Sequence, residues 1–359
     1  MVHLHPIKSW DARHFDELAK EFMERCSEDW AGELDGMDSK HREVFALFGE
    51  QDRARRWGNF RNWAGQSDLE VPVQLGVPRK EILNSLARWI YQQCFRRSWR
   101  REVTQGLLDD LEIVRGAGCE DILLNNPVEK TPAATIAFRH EGYSFNARWL
   151  RYVYLLGRMR TEQLLFDGAS WVDVGSYYGG LSGLALSEFR RLKICLVDFS
   201  HQLCRSYIYL KSLFPDLEHI FPDDLPGTIA IKDFPLGSII YVPVGKYRKI
   251  AGELFDLATN FYSFGEMKRA HFLDYYNSSP FQKSSAVYLV NRFVSAPHFE
   301  ATYDTDLDIR DYLLEGKLAR YFDVFPMHHY NVVERRLYGR LGGRPVSSPY
   351  FELIYNNEH

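Results

Sequence analysis

The feature that most constrains the fold is a series of seven short apolar runs in the second half of the chain. They begin at residue 170, have the length of strands, and most are separated by amphipathic stretches of helix length. The runs are SWVDVG, KICLVDF, SIIYVPV, FDLATNF, SAVYLVN, RYFDVFPM and YFELIYN. Nearly continuous Val, Ile and Leu is typical of strands buried on both faces of a parallel sheet. We therefore predict an α/β fold with a seven-stranded, mostly parallel sheet.

The connection before the last run differs from the others. The segment from Tyr330 to Pro349 contains LGGRPVSSP and has the composition of a loop rather than of a crossover helix. Parallel neighbours need such a crossover. We therefore predict a loop here, followed by an antiparallel last strand.

The first half of the chain has the pattern of helices. Apolar residues recur there at spacings of three and four between charged residues, which predicts amphipathic helices. The predicted helices span 15–34, 79–114 and 143–159. The stretch from Gly116 to Pro132 is predicted as a loop. We therefore divide the chain into an α-helical N-terminal region, residues 1–150, and an α/β domain, residues 151–359.

Charge and composition exclude several classes of protein. Lys and Arg number 44 against 48 Asp and Glu, a net charge of −4. The chain therefore lacks the excess positive charge that holds phosphates, and we predict no nucleic acid as a partner. The five cysteines show no C-x-x-C spacing, which argues against a zinc site or a disulfide framework. Because no signal peptide or long apolar window is visible, we expect a cytoplasmic protein without a transmembrane segment.

The stretch WVDVGSYYGGLSGLAL is the most informative about function. Its strand carries Asp173 near the end, Gly175 follows, and Gly179 and Gly180 open a helix. Ligands of open α/β sheets bind at the carboxyl ends of strands, where glycines let backbone N–H groups approach. The next strand ends at Asp198, placed to accept hydrogen bonds from the ribose hydroxyls of an adenosine. We predict a nucleoside cofactor; the alternative is a tight turn with a surface acid.

The details of this turn narrow the choice of cofactor. A dinucleotide fingerprint needs G-x-G-x-x-G, but Tyr177 stands where the second glycine belongs. No G-K-[ST] follows, so the turn is not a phosphate-binding P-loop. Asp173, two residues before the first glycine, suits a ligand with an ammonium group. The amino-acid end of S-adenosyl-L-methionine carries one.

Two motifs resemble those of a known family. The pattern D-x-G-x-x-x-G-G resembles motif I of class I S-adenosylmethionine-dependent methyltransferases, which usually have a glycine at the position of Tyr177. FDLATNFYSFGEM resembles the D-L-x-x-N-x-x-S-x-x-E-M signature of the sugar O-methyltransferase family of bacterial surface-polysaccharide and secondary-metabolite clusters. FNARWLRYVYLL, SYIYLKSLFP and YLVNR extend the likeness over roughly residues 143–295. The resemblance implies a Rossmann-like class I methyltransferase domain that methylates a sugar hydroxyl in surface-polysaccharide or glycosylated-metabolite biosynthesis.

The turn and the resemblance together give candidate binding residues. Candidates for the cofactor are Asp173, Gly175, Ser176, Tyr178, Gly179, Gly180, Asp198, Phe199, Asn260 and Arg148. Candidates for the acceptor are Tyr177, Tyr262, Ser263, Asn291 and Arg292. Arg148 and Tyr152 share a helix face and would cover the cofactor, with a solvated arginine as the alternative. For Tyr177 and Tyr178 the alternative is packing against the neighbouring helix.

Transfer to a hydroxyl is assisted by a general base. The candidates for catalysis are Glu266, His271 and His298. Glu266 lies in the family-like motif and is predicted to open a helix whose dipole keeps it ionised; the alternative is a capping box with Ser263. The alternative for His271 is an exposed position on that helix. Of His328 and His329 at most one faces the site, because neighbouring strand residues point to opposite faces.

A divalent metal would be a rival way to activate the hydroxyl. Asp304, Asp306, Asp308 and Glu315 have the offsets of an EF-hand loop. The glycine that such a loop needs at its sixth position is Ile309, and the stretch has the pattern of a helix with acids in its first turn. We therefore assign no metal ligands and do not favour metal dependence.

The acceptor and the oligomeric state stay open at this stage. A nucleotide sugar, a lipid-linked glycan and a glycan end all fit a sugar-containing acceptor. A basic cluster of the N-terminal region would bind a phosphate on it or form a charged outer helix face. The cluster consists of Arg96, Arg97, Arg100 and Arg101. The N-terminal region would supply acceptor specificity or the contact of a homo-oligomer. Two other functions remain: O-methylation of a small non-sugar metabolite, and a non-catalytic scaffold, which only Tyr177 favours.

Overall fold

The computed structural model describes most of the α/β half of the chain and parts of the N-terminal half. The described residues are 12–26, 105–128, 138–294, 307–314, 318–328, 330–334, 343–347 and 349–356. The helices are α1 (Ala12–Glu24), α2 (105–116), α3 (Glu120–Asn125), α4 (Ala147–Thr161), α5 (Gly180–Glu188), α6 (Ser200–Leu213), α7 (Arg269–Tyr276) and α8 (Ser279–Lys283). The first seven strands are β1 (Phe138–His140), β2 (Tyr143–Phe145), β3 (Ser170–Val174), β4 (Lys193–Asp198), β5 (Glu218–Ile220), β6 (Ser238–Pro243) and β7 (Leu257–Phe261). The others are β8 (Ala286–Arg292), β9 (Ala319–Val324), β10 (Tyr330–Glu334), β11 (Gly343–Ser347) and β12 (Tyr350–Asn356).

The central sheet confirms the predicted α/β, Rossmann-like fold class. Its strand order is β5-β6-β4-β3-β7-β8-β12-β9, and all seven predicted strands belong to it. The pairs from β5 to β8 are parallel, whereas β12 is antiparallel to both β8 and β9, as predicted for the last strand. The sheet has eight strands rather than seven. The additional one, β5, contains only Glu218, His219 and Ile220 and therefore shows no apolar run.

Both faces of the sheet are covered. Successive residues of β3 face opposite sides, so Trp171 belongs to one apolar cluster and Val172 to another. The first cluster includes residues of α1, α4, α5 and α6; Phe22 of α1 lies 5.7 Å from Tyr207 of α6 between ring centroids. The second includes Phe272 of α7. Burial on both faces explains the continuous apolar runs of the inner strands, whereas the edge strand β9 is mostly exposed.

Two predictions about connections are wrong. The loop predicted from Gly116 to Pro132 contains α3, which has two acids in its first turn and buries Ile122 and Leu123. The loop predicted from Tyr330 to Pro349 contains β10 and β11, which pair with each other outside the main sheet. Their mutual backbone hydrogen bonds need no apolar run in the sequence.

The helix predicted over 143–159 begins only at Ala147. Residues Tyr143–Phe145 form β2, which pairs with β1. The side chain of Asn146 then caps α4 by accepting a hydrogen bond of 2.9 Å from the Trp149 N–H. Helix α4 runs across residue 150, where the sequence was divided. Of the other predicted helices, residues 15–24 and 105–114 are helical, and 27–34 and 79–104 lie outside the described residues.

The carboxyl ends of the parallel strands meet at one edge of the sheet, which we call the carboxyl edge. The last strand, β12, begins at this edge because it runs antiparallel to its neighbours. None of the helices in the described ranges is long and apolar enough to cross a lipid bilayer.

Candidate functional site

The turn between β3 and α5 is built around Gly175. Its φ of 81° lies in the left-handed region, and its N–H donates to the Val197 carbonyl at 2.8 Å. A Cβ at this position would lie 2.1 Å from Ser263 Oγ and 2.6 Å from Ser263 Cβ. Both the dihedral angle and the close approach therefore require glycine. Gly175 brings the turn directly against the loop that follows β7.

The other two glycines of the motif lie at the start of α5. Gly179 precedes the helix and Gly180 is its first residue. A Cβ at Gly180 would lie 2.4 Å from Tyr178 Oη. The Tyr178 ring is buried here, at 5.1 Å from Tyr209 between centroids. The structure thus places the side chain of Tyr178 in the core beneath α5.

Tyr177 occupies the position at which the motif that this turn resembles usually has a glycine. Its φ is 55°, so it keeps the left-handed backbone of a glycine. The turn is held from both sides: the Tyr177 N–H donates to Asp198 Oδ2 at 2.7 Å, and Ser206 Oγ donates to the Tyr177 carbonyl at 2.8 Å. The guanidinium of Arg148 lies 4.9 Å from the centre of the Tyr177 ring. Arg148 therefore reaches across the turn from α4.

Asp173 is buried beside the turn. Thr259 Oγ1 donates to its Oδ1 at 2.7 Å and accepts from Trp171 Nε1 at 2.8 Å. Burial raises the pKa of Asp173 to about 7, although the Thr259 hydrogen bond lowers it. In the described part of the chain no cationic side chain forms an ion pair with Asp173. An ammonium group of a ligand would stabilise the ionised form.

Asp198 ends the neighbouring strand. Its carboxylate accepts from the N–H of Phe199 at 2.8 Å as well as from Tyr177. Burial raises its pKa to about 7, against the effect of these two hydrogen bonds. The Phe199 ring stacks on His201, 5.8 Å away between centroids. Ser176, in the turn itself, buries its hydroxyl without a hydrogen-bond partner among the described residues.

The loop after β7 is fixed by an amide network. Asn260 Nδ2 donates to the Val174 carbonyl at 2.7 Å and to Ser263 Oγ at 2.5 Å, and its Oδ1 accepts from the Phe264 N–H at 2.9 Å. Asn291 Nδ2 donates to Asn260 Oδ1 at 3.0 Å. Asn260, Ser263 and Asn291 were predicted to bind ligands. The structure places their polar atoms in contacts that tie this loop to β3 and β8.

Tyr262 belongs to this loop and is half-buried. It is a second tyrosine in the left-handed region, with a φ of 72°. Its ring lies 5.2 Å from Tyr350 and 6.0 Å from Phe325 between centroids, and the Arg151 guanidinium lies 5.7 Å from its centre. These residues come from α4, the β7 loop, the β9 loop and the start of β12, and they gather at the carboxyl edge.

Glu266 lies in a single 3₁₀ turn, Phe264–Glu266, and α7 begins only at Arg269. The prediction that Glu266 opens the helix is therefore wrong, and the Ser263 side chain does not cap this turn. A Glu266 oxygen lies 3.7 Å from Arg292 Nη2, while Arg292 Nε donates to Tyr350 Oη at 3.0 Å. The structure thus brings Glu266 and Arg292 together beside Tyr350.

The histidines considered from the sequence have different outcomes. His271 lies exposed on α7. His298 and His329 lie outside the described residues. His328 contacts two residues that the sequence reasoning missed: Arg151 Nη1 donates to its carbonyl at 3.0 Å, and Asp110 Oδ1 lies 2.7 Å from its Nδ1. Arg151 could have been found one turn beyond Arg148, but Asp110 had no sequence signal.

The described residues contain no group of three or more His, Cys, Asp or Glu side chains that could hold a metal ion. Of the acids with EF-hand offsets, only Asp308 is described. It caps the 3₁₀ helix Ile309–Tyr312 and pairs with Arg310 at 2.5 Å. Asp304, Asp306, Glu315 and the basic cluster at 96–101 lie outside the described residues.

Comparisons with known proteins give structural likenesses only. No family model matches the chain, and no curated protein matches it in sequence. A SAM-dependent methyltransferase from Agrobacterium tumefaciens is 14% identical with a TM-score of 0.35, covering 63% of this chain and 66% of that one. TehB from Haemophilus influenzae is 9% identical with a TM-score of 0.36, covering 56% and 62%. Precorrin 8w decarboxylase from Methanobacterium thermoautotrophicum is 15% identical with a TM-score of 0.30, covering 57% and 89%. Likenesses at this level carry no argument about activity.

Proposed function

We propose that the protein is an S-adenosylmethionine-dependent O-methyltransferase that acts on a sugar hydroxyl. The observation that carries the proposal is the arrangement of Asp173 and Asp198 at the carboxyl ends of two neighbouring parallel strands, on either side of the Gly175 turn. This is where open α/β sheets bind nucleosides. S-adenosylmethionine supplies an electrophilic methyl group on a sulfonium, and the task of the chain is to bind and orient it.

The residues of the turn fit this ligand. Asp173 is a buried acid that forms no ion pair within the described part of the chain, and the ammonium of the methionine end would provide one. The buried hydroxyl of Ser176 lacks a partner among the described residues and would gain one from a polar ligand. Asp198 has lone pairs beyond its two backbone hydrogen bonds for the ribose hydroxyls. Gly175 would present its backbone beside them.

Two lines support a sugar as the acceptor. The residues of FDLATNFYSFGEM and YLVNR resemble the sugar O-methyltransferase family. In addition, the half-buried Tyr262 ring packs on buried Tyr350, whose hydroxyl accepts from Arg292, the ion-pair partner of Glu266. Aromatic rings with a few charged groups at their rim can pack on the apolar faces of a sugar and bond its hydroxyls. We take a nucleotide sugar, a lipid-linked glycan or a glycan end as the acceptor.

The test is calorimetric titration of the full chain with S-adenosylhomocysteine, with NAD as the control ligand. We expect micromolar one-site binding of S-adenosylhomocysteine alone. Asp198→Asn should weaken this binding about tenfold to a hundredfold, because charged hydrogen bonds to the ribose are lost. The matched control is Asp216→Asn, which makes the same change at an exposed ion pair with Arg190. Absence of binding, or equal affinity in both variants, would contradict the proposal.

A further inference from the structure

A buried acid of the N-terminal half meets a histidine at the carboxyl edge of the sheet. Asp110 of α2 is fully buried, and its Oδ1 lies 2.7 Å from His328 Nδ1 and accepts from the His328 N–H at 3.0 Å. The His328 side chain remains 31% exposed. The two residues are 218 positions apart in the sequence. The pair thus combines an anchored carboxyl with an imidazole that solvent can reach.

His328 lies beside the proposed site. It follows β9 by four residues at the carboxyl edge, and Arg151 Nη1 holds its carbonyl at 3.0 Å. The same Arg151 guanidinium lies over the Tyr262 ring, and Arg148, one helical turn earlier, lies over Tyr177 of the cofactor turn. Arg148 and Arg151, one turn apart on α4, therefore contact the cofactor turn, the Tyr262 ring and His328.

The contact with Asp110 determines which nitrogen of His328 can take up a proton. A carboxylate beside Nδ1 accepts its hydrogen, so the lone pair of the neutral ring is on Nε2. The hydrogen bond to Asp110 also raises the pKa of His328, with a further contribution from Asp109, whereas burial raises that of Asp110. Among the described residues, the other charged groups that act on the pair are Asp109 of α2 and Arg151 of α4.

We propose that His328 accepts the proton of the acceptor hydroxyl and that Asp110 is its positioning residue; this inference rests on the proposed function. The acceptor's O–H bond breaks and its proton goes to His328 Nε2, while the oxygen forms the new C–O bond to the methyl group. The electron pair of the broken C–S bond stays on sulfur, and the imidazolium later releases its proton to water. Glu266 is less suited to this role because its carboxylate already pairs with Arg292 Nη2 at 3.7 Å.

The arrangement is tested without an acceptor by ¹⁵N-histidine NMR of the full chain, with His328→Asn used to assign the signal. The proposal requires the Nδ1–H tautomer of neutral His328 and a pKa above the ordinary 6.5. Asp110→Asn should lower that pKa, because the carboxylate is removed. The Nε2–H tautomer, or a pKa that Asp110→Asn leaves unchanged, overturns the proposal whether or not S-adenosylhomocysteine binds.

The catalytic role is tested by S-adenosylhomocysteine formation with a panel of methyl glycosides and UDP-sugars. His328→Asn keeps a donor toward Asp110 but has no group at the Nε2 position. We expect kcat to fall about 10²- to 10⁴-fold, with the affinity for S-adenosylhomocysteine within twofold of the original. The acidic limb of the kcat/KM profile should move to lower pH in Asp110→Asn. The control is His140→Asn, at an exposed position of β1.

The outcomes separate the two proposals. Unchanged kcat in His328→Asn overturns the role of His328 and leaves the proposed function standing. If the unaltered protein binds no S-adenosylhomocysteine, the proposed function fails, and the role of His328 in methyl transfer fails with it. If the protein binds S-adenosylhomocysteine but methylates no compound of the panel, the tautomer and the pKa of His328 measured by NMR decide whether the proposal holds.

Discussion

The turn after β3 and the loop after β7 are neighbours at the carboxyl edge, and both were predicted to bind ligands, but their polar groups are used differently. In the turn, the buried Asp173 carboxyl forms no ion pair and the buried Ser176 hydroxyl forms no hydrogen bond with any described residue. In the loop, the Asn260 side-chain amide forms hydrogen bonds with Val174, Ser263 and Phe264. A motif match therefore does not distinguish a ligand-binding residue from one that shapes the site.

The largest expected effect follows from the close contact between these two regions. Gly175→Ala places a methyl group against Ser263 and on a left-handed backbone. We expect a loss of about 2–4 kcal/mol in the free energy of unfolding and no measurable binding of S-adenosylhomocysteine. The double variant with Ser263→Gly removes the steric contact and should recover part of the stability in denaturant titration. No recovery would show that the contact is not the cause.

Asn260→Ala tests the loop side of the comparison. It leaves the Phe264 N–H without its acceptor and removes the side-chain acceptor of Asn291 Nδ2, which keeps the Asn260 carbonyl at 3.3 Å. We expect a destabilisation of about 2–4 kcal/mol, measured by urea unfolding. Below the unfolding transition, the affinity for S-adenosylhomocysteine should change much less than in Asp198→Asn. A stable variant that has lost binding would instead make Asn260 a direct ligand contact.

Asp173→Asn tests the turn. In contrast to Asn260→Ala, we expect it to raise stability at alkaline pH and to weaken ligand binding. The folded pKa of about 7 is raised above the ordinary 3.8, so ionisation of Asp173 costs stability progressively as the pH rises between these values. The variant removes that cost, so its melting temperature relative to the unaltered protein should be higher at pH 8 than at pH 5. Binding of S-adenosylhomocysteine should weaken about tenfold or more. Lower relative stability at pH 8 would contradict the account.

The smallest effect is expected at Arg148. Its contact with the Tyr177 ring is of a kind worth about 0.5–1 kcal/mol at exposed sites. Arg148→Ala should therefore weaken binding of S-adenosylhomocysteine by about two- to fivefold. Arg191→Ala, at an exposed ion pair with Asp167, provides the matched control. A loss as large as that of Asp198→Asn would place Arg148 in direct contact with the ligand.

Prediction from sequence succeeded for all seven apolar runs, which are strands of the main sheet. Six of them are buried, whereas β9 is a mostly exposed edge strand. Three-residue β5 and the β10–β11 pair depend on backbone pairing with little or no apolar signal. The turn at Gly175 was predictable because a glycine directly after an apolar strand is typical of a tight turn with a left-handed backbone. Asp110 was not, since its partner His328 is brought near only by the folded chain.

The central claim is that Asp173 and Asp198 bind the charged and ribose groups of an adenosyl ligand. It is tested most directly by calorimetry of S-adenosylhomocysteine binding in buffers of different ionisation enthalpy. Because burial raises both pKa values to about 7, binding at pH 6 should release about one proton or more, and clearly less at pH 8. Asp173→Asn should reduce the release at pH 6. Binding without proton release at pH 6, or no binding at all, would contradict the account.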